Sequence, residues 1–299
     1  GAVQMMLDRG ELKDWFGSRE IWIEATVAAL CLYLFVVHTA TTTASSFLNR
    51  SMLRDSNFTA GIILMFFVGI ILNGTMVLLP TMMQVLMNYP VVTAGFVMAP
   101  RGIGTLISMI VVARIIGKID TRLIIFAGLS LTALSLWQMT GFSLEMNMNL
   151  LLVSGTLQGI GLGFVFTPLS VAAFSTLSRQ HLTQGTAIFS LMRNIGGSVG
   201  VSIVEALFVE NTQVIHSRLV EHIRPDNPLA QGPALGIPYS LSEVHGIAAL
   251  NALVTRQAQM IAYIDNFYFM AVMILLTLPL LLLLRRPRSA TKGPTVALD

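Results

Sequence analysis

Long uncharged stretches separated by short charged segments dominate the hydropathy pattern of this chain. No Asp, Glu, Lys or Arg occurs between Ala25 and Asn49 or between Ser56 and Pro100. A helix of about 20 apolar residues is long enough to cross a bilayer. The pattern therefore predicts seven membrane-spanning helices, at about residues 20–41, 57–84, 91–116, 121–141, 149–177, 182–208 and 266–284.

The segments outside these spans are polar and differ in length. Residues 1–19 are predicted to be the end of a helix that begins upstream, followed by an external loop, so the chain is expected to be the C-terminal part of a longer protein. The longest polar segment is 209–261, and its Pro- and Gly-rich part, 225–238, indicates a loop. Residues 285–299 are predicted to form a basic tail.

Composition and charge predict an all-α integral membrane protein. Hydrophobic residues make up 54% of the chain and charged residues 11%, whereas a soluble domain has roughly 25% charged residues. Of the 18 Lys and Arg residues, ten fall on the side of the C-terminus and six on the opposite side. By the positive-inside rule, the basic tail is expected in the cytoplasm and the 209–261 loop outside the cell.

Several other classes of protein are excluded by the same residues. The basic residues lie at span ends and form no patch with aromatic residues, so no nucleic-acid partner is predicted. Cys31 is the only cysteine, which excludes an intrachain disulfide and a cysteine metal site. No metal site, cofactor or enzymatic motif is predicted.

Two arginines, Arg101 and Arg193, are predicted to lie within the membrane. A charge at that depth costs about 2.5–3.5 kcal/mol on insertion scales, so each is expected to face a protein interior or a wet cavity. Arg101 either supports carbonyls that Pro100 leaves free or takes part in transport, whereas a pathway role is favoured for Arg193. Gln84 and Asn194 are further candidates for the substrate pathway or for coupling. No acidic residue lies mid-span, so a proton-coupling carboxylate is expected upstream of this chain.

Small residues recur every four positions in two of the predicted spans. This spacing lets helices pack closely in a membrane, and close packing is the first interpretation of both runs. The alternative for the first run is a hinge that bends during transport. The residues concerned are Gly155, Gly159, Gly163 and Pro168 in the first run and Gly196, Gly197 and Gly200 in the second.

Ordered motifs along the chain resemble the major facilitator superfamily, in particular its EmrB/QacA-type drug:proton antiporters with fourteen spans. The resemblance implies two six-helix bundles that rock around a central cavity. Residues 20–49 would be an extra central transmembrane helix and 50–284 the C-terminal six-helix bundle, with the N-terminal half of the protein upstream. The motifs are LPTMMQ at 79–84, NYPVVTAGFVMAPRGIGT at 88–105, LQGIGLGFVFTPLS at 157–170, RNIGGSVG at 193–200 and RQAQMIAYIDNF at 256–267.

The same resemblance implies proton-coupled efflux of lipophilic drugs by alternating access, driven by the proton gradient, in the inner membrane of a bacterium. Two alternatives remain open. One is export of a specific metabolite or siderophore, and the other is a non-transporting receptor or scaffold on the same fold.

The segment 113–122, ARIIGKIDTR, resembles the cytoplasmic gating loop of this superfamily. It departs from the motif at two positions, because Ala113 replaces the leading glycine and Gly117 replaces the acid. The candidate gating residues are Arg114, Gly117, Lys118, Asp120 and Arg122.

Apolar residues at helical spacing follow the Pro- and Gly-rich part of the long loop and predict an amphipathic helix on the membrane surface. The simpler interpretation is that this helix covers the surface of the bundle. The resemblance implies instead a docking site for a HlyD-type periplasmic adaptor that reaches an outer-membrane channel. The candidate docking residues are Val244, Ile247, Leu250, Val254 and Arg256.

Overall fold

The computed structural model describes residues 5–6, 9–10, 13, 17–41, 52, 54–221, 223 and 244–284. Long helices account for nearly all of them, and the described part contains no β-strand, which confirms the predicted all-α fold. The helices are α1 (Arg19–Thr41), α2 (Ser56–Val85), α3 (Val91–Ile115), α4 (Thr121–Met139), α5 (Met148–Phe174), α6 (Leu182–Glu221) and α7 (Val244–Thr277). A short 3-10 turn at Arg179–His181 precedes α6, and Leu278–Leu283 continues α7 as a 3-10 helix.

Six helices of the described part, α2 to α7, are long and apolar enough to cross a membrane. Helix α1 occupies the span predicted at 20–41 but is not among these six. Residues 42–49 of the predicted extra helix, most of the predicted 1–19 segment and the whole 285–299 tail lie outside the described residues. The described helices confirm a multi-pass membrane fold.

Polar side chains fix where several helices begin. The Asp55 carboxylate accepts hydrogen bonds from the backbone amides of Asn57 and Phe58 at 2.9 and 3.0 Å, at the start of α2. Asp120 and Asn147 cap α4 and α5 in the same way. Such caps satisfy amide groups that have no partner within the helix, so they set the boundaries between apolar spans.

Helices α2 to α7 form two three-helix repeats of opposite direction. Helix α3 packs along α5, and α6 packs along α2, so the second helix of each repeat lies on the first helix of the other. Gly61 of α2 lies against Ala173 of α5. Further along, Arg101 of α3 contacts both Gly159 of α5 and Thr75 of α2. Residue numbers therefore rise along α2 as they fall along α5, which makes the repeats antiparallel.

Of the six candidate spans, α2 is the most buried and α3 the least buried. In the most apolar stretch of α2, 61% of the residues are buried, whereas in that of α3 only 28% are. Helix α2 therefore lies near the centre of the bundle, between α5, α6 and α7. Large apolar side chains on the exposed face of α3, such as Phe96 and Leu106, suit contact with lipid or another apolar surface.

The predicted external loop at 209–261 is wrong at 209–221, whereas the helix predicted after the Pro- and Gly-rich part is present but continues into the last span. Residues 209–221 continue α6, and 244–261 belong to the same unbroken helix as the predicted last span. The physical reason is that no proline occurs between Val244 and Thr277 and the one glycine, Gly246, lies in the first turn, so nothing interrupts the helix. The Pro- and Gly-rich part, 225–238, lies outside the described residues.

The outer parts of α6 and α7 form a paired extension, the outer hairpin (209–221 and 244–258). His216 Nε2 and Asn251 Oδ1 lie 3.0 Å apart across it. The Arg256 guanidinium donates to the Leu86 carbonyl at the end of α2, at 2.7 and 3.2 Å. The end of the bundle that carries this hairpin is called the outer end, and the opposite end the inner end.

The proposed exposed docking stripe is contradicted at two of its positions. Leu250 and Val254 are each only 5% exposed, while Ile247 is 51% exposed. The Val244 side chain lies outside the described residues. Leu250 and Val254 pack within the bundle and are not free for an adaptor, whereas Ile247 is exposed; because the helix continues into the last span, it does not lie on the membrane surface.

We expect His216→Cys and Asn251→Cys, introduced together with Cys31→Ser, to be linked by a short bifunctional thiol reagent, because the native side chains are in contact. The faster migration of the linked protein on a denaturing gel measures the reaction. The pair His216→Cys and Leu253→Cys is the control, since Leu253 is exposed and lies on another face of α7. Equal linkage of both pairs, or of neither, would contradict the hairpin.

Candidate functional site

Glycines of α5 bring its backbone against α3. A side-chain carbon at Gly159 would overlap the Arg101 carbonyl, and one at Gly163 would overlap Ser108. A side-chain carbon at Gly155 would lie 3.9 Å from the Arg101 Cβ, which is an ordinary contact. The Thr105 hydroxyl donates to the Gly159 carbonyl at 3.0 Å, so the close approach also provides an interhelical hydrogen bond.

Glycines of α6 make a second close contact, with α2. A side-chain carbon at Gly196 would overlap the Phe66 carbonyl, and one at Gly200 would lie 2.6 Å from the Ile70 Cα. Gly197 faces the Asn73 side chain. Each run of small residues therefore lies at a helix-helix contact, and Pro168 is buried within a helix that continues through it.

The two contacts are equivalent under the inverted repeat, and each contains one of the intramembrane arginines. The backbone carbonyl of Arg101 lies against Gly159 of the opposite repeat, and that of Arg193 lies against Gly69. Gly69 was not singled out from the sequence, because it stands alone in an apolar run. A second pair of equivalent contacts joins Gly104 to Thr156 and Gly196 to Phe66.

Arg101 is directed into the bundle. It is 7% exposed, and its Nη2 donates to Thr75 Oγ1 at 2.9 Å and to the Leu72 carbonyl at 3.4 Å. Both acceptors belong to α2, so the arginine joins α3 to α2 and does not serve carbonyls freed by Pro100 in its own helix. Its Nη1 has no hydrogen-bond partner among the described residues.

A buried amide that the sequence did not reveal lies at the depth of Arg101. Gln158 is fully buried beside Gly159, and neither of its amide atoms has a hydrogen-bond partner in the described part of the chain. An uncharged residue within a Gly-rich span carries no signal in a hydropathy pattern. Its burial follows from the centre-facing side of α5 and could not be read from spacing alone.

Arg193 has a different environment from its counterpart Arg101. It is half-buried, and no hydrogen bond or ion pair joins it to another described residue. Its backbone contact with Gly69 places it near the middle of the 30-residue α2. The equivalent contacts pair Gly69 of α2 with Gly159 of α5 and Phe66 with Thr156, so Thr75 corresponds to Val165 of α5. The bundle therefore offers Arg193 no equivalent of the hydroxyl that Arg101 uses.

The exposed face of α6 beside Arg193 is partly polar. It runs from the inner end of the helix to mid-depth and has exposed apolar residues, Leu191 and Ile195, along one edge. Gln84 lies elsewhere, exposed in the last turn of α2 at the outer end. The polar members of this face are Thr183, Thr186, Ser190 and Asn194.

An apolar groove of about 400 Å³ lies between α3 and α5. It opens on the surface of the bundle close to Arg101, and its walls are almost entirely hydrocarbon. Such a surface suits contact with lipophilic molecules. The lining residues are Pro100, Leu152, Val153, Thr156, Leu157 and Ile160.

The candidate gating loop forms a tight turn between α3 and α4 at the inner end. Gly117 has a φ of +88°, a conformation that glycine adopts without strain, so the absence of the motif's acid has a structural reason. Asp120 caps α4 by accepting from the Arg122 amide at 3.1 Å. Arg114 lies in the last turn of α3, where a cation is favourable, and Lys118 lies in the turn.

Comparisons with known proteins agree with this architecture. The model of the Major Facilitator Superfamily matches residues 10–201. "Multidrug export protein EmrB" of Haemophilus influenzae is 28% identical over 91% of this chain and 53% of its own length. "Fatty acid resistance protein FarB" of Neisseria gonorrhoeae is 28% identical over 96% of this chain and 57% of its own. EmrB of Escherichia coli K12 is 28% identical over 98% and 57%. The chain thus spans about half the length of the curated relatives it matches.

Proposed function

Since this chain belongs to the Major Facilitator Superfamily, we propose that it forms one half of a proton-coupled efflux transporter for lipophilic small molecules. The transporter works by alternating access, in which two bundles rock around a shared pathway. The second bundle is supplied by the remainder of a longer protein, as the partial coverage of the relatives suggests.

The observation that carries this proposal is the position of Arg193. A charge at mid-depth is stable only beside protein or water, yet no described residue pairs with it. The polar face of α6 that adjoins it would be costly against lipid. Both features are accounted for if this face lines a wet pathway between the two bundles.

Three site roles follow within this proposal. Arg193 and Asn194 line the pathway, and Gln84 lies near its outer opening. Arg101 holds α3 to α2 from inside the bundle, and the apolar groove beside it contacts the hydrocarbon part of substrates. The turn at 113–122 limits how far the inner ends of α3 and α4 separate.

The location and the energy source are parts of the same proposal. The protein lies in the inner membrane of a bacterium with its C-terminus in the cytoplasm, as the distribution of Lys and Arg favours. Protons drive export, and the carboxylate that carries them belongs to the other half, because α2 to α5 contain no acidic residue and Glu205 and Asp265 lie outward of the depth of Arg193.

A periplasmic adaptor of the HlyD type and an outer-membrane channel are proposed as partners. The buried stripe on α7 does not serve as the docking surface. The adaptor would instead contact the exposed sides of the outer hairpin, which extends beyond the length of helix that a bilayer requires.

A second candidate function is export of a narrow class of substrate, such as fatty acids. The name of FarB, which matches 96% of this chain, favours it. In this case the pathway residues would be the same and only the range of substrates would differ.

We expect cells that express the full-length protein to export lipophilic dyes and drugs more rapidly than cells without it. Addition of an uncoupler should abolish that difference, because the proton gradient supplies the energy. Dye efflux measured by fluorescence in preloaded cells provides the test, with ATP levels held constant as the control. Export that continues unchanged after the gradient has collapsed would rule out proton coupling.

A further inference from the structure

The environment of Arg193 bears on whether the substrate is an anion or a cation. We propose that the Arg193 guanidinium binds the anionic group of a lipophilic acid, such as a carboxylate, and so makes amphiphilic anions the preferred cargo. This inference rests on the proposed transport function and adds the chemistry of the substrate.

The first reason is that the bundle itself does not satisfy Arg193. Its counterpart Arg101 has the Thr75 hydroxyl and a backbone carbonyl as acceptors. At the position equivalent to Thr75, the second repeat has the buried residue Val165. A guanidinium carries five N–H donors and no acceptor, so Arg193 presents an unused set of donors on the surface of the bundle.

The second reason is that acids are absent from its depth in the described part of the chain. Glu205, on the same helix, is twelve residues away, roughly 18 Å at the rise of an α-helix. Asp265 lies more than one turn outward of Met270, which itself contacts Gly74 on the outer side of Gly69. A cationic substrate would meet a like charge here without a compensating carboxylate.

The third reason is the composition of the surrounding surface. Ser190 and Asn194 add hydroxyl and amide groups that can donate hydrogen bonds to an anion. Leu191 and Ile195 present apolar surface along the same helix. An anionic head with a hydrocarbon body matches both parts, and a planar carboxylate fits the fork of an arginine.

The test compares one acid with its uncharged analogue in the full-length protein. A fluorescent long-chain carboxylic acid and its primary amide are loaded into proteoliposomes, and proton-driven transport of each is measured. The variants are Arg193→Gln and Arg193→Lys. The control is Arg218→Gln, which removes a charge from the exposed outer part of the same helix. Membrane abundance is measured for every variant.

We expect Arg193→Gln to lower transport of the acid by about tenfold or more and to change transport of the amide less than about twofold. Arg193→Lys should retain an intermediate rate for the acid, because the charge remains but the fork is lost. Arg218→Gln should transport both compounds at the wild-type rate. If Arg193→Gln is not recovered in the membrane, the difference between acid and amide in Arg193→Lys decides.

Equal loss of acid and amide transport would overturn the inference, because Arg193 would then pair with an acid of the other bundle or serve the mechanism in general. Unchanged transport of both would overturn it as well. If wild-type protein transports the amide but not the acid, the substrate class is wrong while the transport function stands. If the wild-type protein moves neither these compounds nor a lipophilic cation, the proposed function itself fails.

Discussion

The substitution Gly159→Leu is expected to reduce the folded protein in the membrane to below about a tenth of the wild-type amount. Any side chain at this position would overlap the Arg101 carbonyl, so α3 and α5 would have to move apart. Overpacking of a tight core costs typically about 1–3 kcal/mol. Separation would also break the hydrogen bond from Thr105 to the Gly159 carbonyl. Backbone atoms cannot move aside as a flexible side chain can, which places this change at the upper end of that range.

Gly102→Leu is the matched control for this prediction. Gly102 lies in the same pair of helices, but a side-chain carbon there would meet nothing within 4 Å. We expect its abundance to equal that of the wild type, because leucine is also a better helix former than glycine. Size-exclusion chromatography of detergent extracts, with a fluorescent tag, measures folded protein. Comparable profiles for the two variants would show that the contact at Gly159 does not require glycine.

The same substitution at the two equivalent arginines is expected to give opposite results. Arg101→Glu should remove most of the folded protein, because a buried acceptor-only group would face the Leu72 carbonyl and leave a charge unpaired. Leaving a buried charge without its partner typically costs about 3–5 kcal/mol. Arg193→Glu should leave abundance within about twofold of the wild type, since that side chain is half-buried and no described residue depends on it.

Membrane abundance and thermal stability in detergent, measured side by side, test this pair. Arg101→Lys serves as the conservative control, because it keeps the charge and one donor toward Thr75. A similar loss in Arg101→Glu and Arg193→Glu would mean that the two sites are equally structural. Normal abundance of both would mean that the contact of Arg101 with α2 contributes nothing to folding.

The apolar spans and their turns were predictable because membrane burial acts directly on residue type. Pro90 and the capping residue Asp120 mark turns that local sequence alone determines. The outer hairpin was not predictable in the same way. Its polar residues suggested a loop at 209–261, but polarity does not break a helix, and only proline or glycine would have done so.

The difference in burial and hydrogen bonding between Arg101 and Arg193 could not be predicted from the sequence, for another reason. Both are preceded by apolar residues and followed by glycines, so their local patterns are alike. Their environments differ because the equivalent position on the first helix of each repeat is Thr75 in one case and Val165 in the other. Which helix faces which arginine is a property of the packed bundle. The pairing of Gly69 with Arg193 and the burial of Gln158 belong to the same class.

The continuity of α6 has a mechanical consequence. Its 40 residues form a rod about 60 Å long, roughly twice the ~30 Å thickness of the hydrocarbon layer. Arg193 lies at mid-depth in the inner part of this rod, and the far end belongs to the outer hairpin, where the contact between His216 and Asn251 holds it against α7. A small tilt of the bundle therefore sweeps the tip of the rod through a larger arc than any residue inside the lipid. The position of the outer hairpin, outside the hydrocarbon layer, therefore reports the tilt of α6, including the part that carries Arg193 inside the membrane.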